Sequence, residues 1–125
     1  MNTNYRRGAD FERRVVRDLE GKGFAVVRSA GSHKPADVIA MRHGKTVCVQ
    51  CKRDGRLPPE EWNDFLDWCL VAGAVPVMAS TPGRGIEYNR LTGRKEHRGR
   101  QPMERWKGDT IGTEIQGPAG RGDRV

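Results

Sequence analysis

Apolar positions along the chain change period several times, and each change marks an element. Between Gly8 and Glu20, Phe11, Val15, Val16 and Leu19 recur at three- and four-residue steps. At 100° per residue they fall within an arc of about 140°, with Arg6, Arg13, Arg17 and Glu20 opposite. The spacing predicts an amphipathic helix that stops at Gly21-Lys22-Gly23. Glu12 lies inside the apolar arc, where a charge needs a partner.

Phe24-Ala25-Val26-Val27-Arg28 is a β-branched run and predicts a strand, followed by a loop from Ser29 to Pro35. The segments 37–42 and 45–52 read as two further strands joined at His43-Gly44, where a glycine in second place suits a primed two-residue turn. Pro58-Pro59 opens a second helix that runs to near Gly73, with Glu60 and Glu61 in the first turn where the helix dipole favours acid. Residues 74–79 predict another strand, whose Pro76 suits an edge or a strand start, and 86–91 predict a short last one. This order predicts an α/β fold, a central mixed β-sheet flanked by helices. From Thr92 onward no period is sustained, and seven glycines accompany eight basic and five acidic residues. The expectation is a core domain over 1–91 and a basic Gly-rich C-terminal extension over 92–125. Met103 and Trp106 are placed to anchor part of that extension, and 108–125 are expected to be disordered.

Composition adds a partner. The 125 residues suffice for one domain, with 23 Lys and Arg against 16 Asp and Glu, a net charge of +7. Residues 1–91 hold 15 basic and 11 acidic groups, so core (+4) and extension (+3) are both basic. A polyanion, most simply nucleic acid, is the implied partner. No apolar run reaches the ~18 residues of a membrane span, and no signal peptide is recognisable, so the reading is a soluble cytoplasmic protein, in the host cytoplasm if phage-encoded. Three cysteines, an odd number, argue for reduced thiols. Cys48 and Cys51 spell C-x-x-C, but on a strand residues three apart face opposite ways, so the cysteines are read as small buried hydrophobes. His33, His43 and His97 have no second ligand at metal spacing and are read as surface residues.

The hairpin brings chemistry together. A turn centred on His43-Gly44 sets Arg42 opposite Lys45 and Asp37 opposite Gln50, with Cβ atoms of opposed residues about 5 Å apart. Lys52 follows two positions on, on the same face. One carboxylate and one amide oxygen suit a hard cation such as Mg²⁺, and a lysine beside a metal-bound water can hold or deprotonate it. Glu12, on the buried face of the first helix, is placed to point at the same site. That combination hydrolyses phosphodiesters in a basic groove. The outer face of the first helix, Arg6, Arg7, Arg13, Arg14 and Arg17, together with Arg28, Lys34 and Arg53, is nearly uniform in sign and suits phosphate contact.

Asp37, Gln50 and Lys52, with Pro35-Ala36-Asp37 followed by Gln50-Cys51-Lys52, resemble the PD-(D/E)xK nuclease signature. More narrowly, Arg7-Gly8-Ala9-Asp10-Phe11-Glu12-Arg13 and Gly23-Phe24-Ala25-Val26-Val27-Arg28-Ser29-Ala30-Gly31-Ser32 resemble the archaeal-type Holliday junction resolvases. The resemblance runs from about Arg6 to Ala79. It implies a restriction-endonuclease-like core and a homodimeric, Mg²⁺-dependent endonuclease, with Mn²⁺ substituting, that cuts two opposed strands of a four-way DNA junction. It implies Glu12, Asp37, Gln50 and Lys52 as the catalytic set, with Asp37, Gln50, Glu12 and the main chain of Cys51 holding metal. Arg13 and Arg28 would hold DNA, and the loop carrying Ser29, Ser32 and Lys34 would bound the site.

This chain departs from the family at Gln50, where glutamate is usual. An amide offers metal an oxygen but no charge, so Mg²⁺ should bind more weakly. Activity is still the expectation, with Glu12 making up the charge. Two alternatives stay open: a restriction-like or nicking nuclease of ordinary duplex, and a non-catalytic junction-binding module. In the second helix Trp62, Phe65, Leu66, Cys69 and Leu70 span about 140°, widened to about 200° by Trp68 and Ala72. One face of a sheet needs less, which suits a dimer interface there or on an adjacent strand.

Overall fold

The computed structural model describes residues 3–30, 33–99 and 101–107. The elements in chain order are α1 (Thr3–Gly21), β1 (Ala25–Arg28), β2 (Val38–Arg42), β3 (Lys45–Cys51), α2 (Pro59–Ala72), β4 (Val75–Ser80), β5 (Glu87–Leu91) and β6 (Met103–Arg105). Helix α1 begins before Gly8, in a stretch with no apolar position for a periodicity to detect. It ends as expected: the Lys22 and Phe24 amides both donate to the Leu19 carbonyl, with Gly23 at φ 94°.

Six strands form one sheet in the order β1-β2-β3-β4-β5-β6. Every neighbouring pair is antiparallel except β3 and β4, which α2 joins by a crossover. The sheet is mixed for that single reason. Between β2 and β3, Val38 pairs with Val49 and Arg42 with Lys45, the register that a His43-Gly44 turn requires. Those two residues have φ of 52° and 77°, the doubly positive geometry of a type I′ hairpin. Pro76 is not on an edge strand, because β4 is fourth of six. It is tolerated because the β4–β5 ladder starts only at Val77, so at Pro76 the strand pairs with β3 alone.

Alternation along the strands sends side chains into two cores. On one face Val38, Ala40, Val47, Val49, Val77 and Ala79 pack under Phe11, Val15 and Leu19 of α1. On the other, Cys48 and Met78 pack under Trp62, Phe65, Leu66 and Cys69 of α2. Cys48 and Cys51 do face opposite ways: Cys48 is buried beneath α2 in the same core as Cys69, while Cys51 packs beneath α1. Gly73 ends α2 in the left-handed region at φ 67°.

The described part of the extension is held against the body at Met103 and Trp106. Met103–Arg105 add a sixth strand to β5, and Trp106 is 2% exposed, its ring 5.6 Å from that of Tyr88 and 6.1 Å from that of Phe24. Lys95 is buried too, its ammonium donating to the Leu57 carbonyl, while Asn63 clamps its backbone on both sides. The physical reason is aromatic burial: one indole completing a core outweighs the polarity of its neighbours. The expectation for 108–125 lies outside the described residues. Among the described residues no helix is long and apolar enough to cross a membrane.

Candidate active site

The predicted cluster forms at one end of the sheet, where β2 begins and β3 ends. The strand ladder ends at Val38–Val49, and the Asp37 amide donates to that same Val49 carbonyl at 2.9 Å, one residue out of step, while the Gln50 side chain lies against Asp37 Oδ2. The Cys51 amide donates to Asp37 Oδ2 at 2.8 Å. The main chain at the end of β3 therefore holds the carboxylate. Ser29 closes the neck of the preceding loop, its amide donating to the Asp37 carbonyl and its hydroxyl to the Ala36 carbonyl.

Asp37 is held in a dry place. Burial, the largest influence, pushes its carboxyl up to about 6 from 3.8. The Cys51 amide opposes this, Glu12 adds to it, and Lys52 and Arg28 offset it. A carboxylate raised by burial, with no side-chain cation in contact among the described residues, is a group that a divalent ion would relieve. A second carboxylate, Glu12, stands near enough to be felt. Among the described residues no three His, Cys, Asp or Glu side chains cluster, so a cation here would have two carboxylates and take its other ligands from amide or main-chain oxygens and water. Mg²⁺ tolerates such a set because it keeps much of its water.

Three groups stand differently from the expectation. Gln50 is 8% exposed, and its amide is satisfied with the nitrogen donating to the Pro35 carbonyl and, at 3.2 Å, to Asp37 Oδ2. In that orientation Gln50 is a donor to Asp37, and offering its oxygen to a metal requires the amide to turn over. Glu12 is already paired: Arg28 Nε donates to its Oε1 at 2.9 Å. Lys52 leans toward α2, its ammonium 3.4 Å from Glu61 Oε1. Glu61 was legible only as an acid suited to a helix N-terminus, because its reach to Lys52 depends on where α2 lands.

The proposed DNA-contacting residues divide. Arg6, Arg7, Arg13 and Arg17 are exposed on the outer face of α1, and Arg13 makes a solvent-facing pair with Asp10 at 3.4 Å. Lys34 and Arg53 are exposed beside the site. Arg28 faces inward to Glu12, and the Ser29 hydroxyl is spent on the loop, which makes Ser29 a scaffold residue in this conformation. Ser32 lies outside the described residues. Arg14, read with the other α1 arginines as part of the basic outer face, instead donates its guanidinium to the Arg84 carbonyl and ties the helix to the turn between β4 and β5.

With this geometry in place, comparison with known proteins is informative. The crossover junction endodeoxyribonuclease Hjc of Methanocaldococcus jannaschii is 37% identical over 83 residues, 63% of this chain and 62% of that protein. The protein of the same name from Sulfurisphaera tokodaii is 40% identical over 58 residues, 42% of this chain and 40% of that protein. The chain thus spans under two thirds of the length of these curated relatives. The structure of Hjc from Archaeoglobus fulgidus, a Holliday junction resolvase, superposes with a TM-score of 0.57 at 24% identity, over 65% of this chain and 74% of that one. It shares the α/β nuclease-like fold. A family model described as archaeal Holliday junction resolvase (Hjc) matches residues 3–98, most of the sequence, and the chain belongs to that family.

Proposed function

We propose that the protein is a metal-dependent endonuclease that resolves four-way DNA junctions by cutting two opposed strands as a homodimer. The observation that carries this reading is the convergence of Asp37, Gln50, Lys52 and Glu12 at one sheet end, beside the exposed arginines of α1. The names of the relatives support the substrate.

Glu12 and Asp37 would hold the cation, Mg²⁺ with Mn²⁺ as its substitute, and Gln50 and the main chain of Cys51 stand next to it. When bound, the cation supplies polarisation of the phosphate and a more acidic water. The chain's own part is positional. The Cys51 amide and the Gln50 nitrogen fix Asp37 Oδ2. Glu61 draws the Lys52 ammonium toward α2, and from there it can orient a water by donating a hydrogen bond to it. The arginines on α1, with Lys34 and Arg53, hold the DNA backbone.

Incubation with a labelled four-way junction and Mg²⁺ should give paired opposed nicks, and Lys52→Ala should slow them at least ~100-fold while junction binding survives. Unchanged cutting by that variant sinks the site assignment. Binding should weaken with salt at a log–log slope near −5, if about six phosphates are contacted. A second reading, a module that binds junctions without cutting, is favoured by the Gln50 nitrogen facing Asp37. Tight binding with no cleavage in either Mg²⁺ or Mn²⁺ would select it.

An uncovered apolar surface supports the homodimer. Helix α2 covers the middle of its face of the sheet and leaves Val27 and Met41 exposed on β1 and β2. Leu70 and Val71 on α2 itself are 71% and 90% exposed. Sedimentation should give twice the chain mass, and Val71→Asp should return it to one; a monomeric parent protein would overturn this part of the reading.

A further inference from the structure

We propose that Arg28 gates the second carboxylate of the site, so that divalent cation and DNA load together rather than independently. The inference rests on the metal-dependent nuclease reading above. In the free protein Glu12 is closed to a cation by its contact with Arg28 at 2.9 Å, and both side chains are about four-fifths buried, 22% and 21% exposed. A charge-assisted hydrogen bond so enclosed is poorly screened by salt and does not open by itself. An incoming cation would also meet the guanidinium, a like charge, in the same small space.

Why Glu12 has a partner at all follows from where it sits. It lies on the buried side of α1, next to Phe11 and one turn from Val15 and Val16, and a carboxylate there needs an opposite charge at all times. Arg28 meets that need when no metal is bound. Asp37 is treated differently: its oxygen takes neutral N–H donors from Cys51 and Gln50, with no cation in contact among the described residues. One carboxylate is therefore open to a metal and one is locked.

Substrate supplies the key. Arg28 is the last residue of β1, an edge strand, and its neighbour Ser29 is bonded to the main chain of Asp37. A phosphate brought to Asp37 therefore arrives within reach of Arg28. Guanidinium pairs with phosphate through two parallel N–H bonds, a better match than the single Nε contact with Glu12. As Arg28 turns to the phosphate, Glu12 is left with an unpaired charge, and the cation replaces the guanidinium. Charge balances on both sides of the exchange: Glu12 with Arg28 becomes Glu12 with cation and phosphate with Arg28. The other ion pair of the site, Lys52 with Glu61, is longer at 3.4 Å and more exposed, so it is no comparable lock.

The test is Mn²⁺ binding to the full chain, read by electron paramagnetic resonance, without DNA and with a saturating four-way junction. A Lys52→Ala background keeps the junction intact. Glu12→Gln should change Mn²⁺ affinity of the free protein less than about threefold, yet weaken it about tenfold or more in the junction complex, within the usual range of coupling between sites. Arg28→Ala should raise Mn²⁺ affinity of the free protein. Because that variant leaves a half-buried carboxylate unpartnered and can cost the fold, the near-isosteric Glu12→Gln carries the decision. Equal weakening with and without DNA, as expected if the phosphate merely adds a ligand, overturns the gate and leaves the nuclease reading standing. So does no effect in either state. Absence of Mn²⁺ binding even in the junction complex overturns the metal-dependent reading and the gate with it.

Discussion

Asp37→Asn should lower junction cleavage at least a thousandfold, a loss of roughly 4 kcal/mol of transition-state stabilisation, while making the metal-free protein more stable at neutral pH. The second half follows from burial. Asp37 is raised to about 6 in the folded protein, chiefly by burial, against 3.8 for the free group. The folded state therefore binds the proton more tightly than the unfolded state. Between these two values folding takes up a proton, so stability is full below the lower value and falls as pH rises through the upper one. The loss above pH 6 is on the order of 2–3 kcal/mol. Asparagine carries no charge at any pH and can still accept the Cys51 amide, so it should abolish this slope. Urea unfolding in the presence of chelator, at pH 5 and pH 7.5, measures it. Parallel pH slopes for the two proteins would show that Asp37 is not the strained group. Added Mg²⁺ should offset the penalty in the parent protein and do nothing for the variant.

The second large effect is structural. Trp106→Ala should cost about 3–5 kcal/mol and lower the melting temperature by on the order of 20 °C. Trp106 is 2% exposed and closes the α1 core between Phe24 and Tyr88. Its indole nitrogen is buried without a hydrogen-bond partner among the described residues. An unsatisfied buried donor is itself unfavourable by about 1–3 kcal/mol, so Trp106→Phe removes a liability along with some contact and should cost far less than alanine. Thermal unfolding of the two variants separates them. A loss under ~1 kcal/mol for alanine would mean that residues beyond Leu91 are an appendage after all.

How the sequence relates to these outcomes differs from residue to residue. The hairpin was legible because a two-residue turn with glycine second admits one register, and that register brings the start of β2, where Asp37 lies, to the end of β3, where Gln50 lies, before any tertiary contact is known. The cores were legible because α1 and the strands keep their periods. Strand β6 was not: two of its three residues, Glu104 and Arg105, are charged and exposed on an edge, so it has no alternation to detect. Only Met103 and Trp106, apolar residues in a polar stretch, gave a signal. The partners of the site residues were hidden for another reason. Arg28 reaches Glu12 because α1 crosses β1, and Glu61 reaches Lys52 because α2 starts beside the end of β3, and no spacing in the chain encodes either approach.

The closing of the α1 core by Trp106 also sets an order of events during synthesis. Every residue proposed for the site is made by position 61, but Phe24 and Tyr88 wait for an indole from position 106. Contacts that distant along a chain are slow to find. On the ribosome the end of the sheet that carries the proposed site would be assembled over an unfinished core, and the proposed cleavage would become possible late, after the last strand has docked.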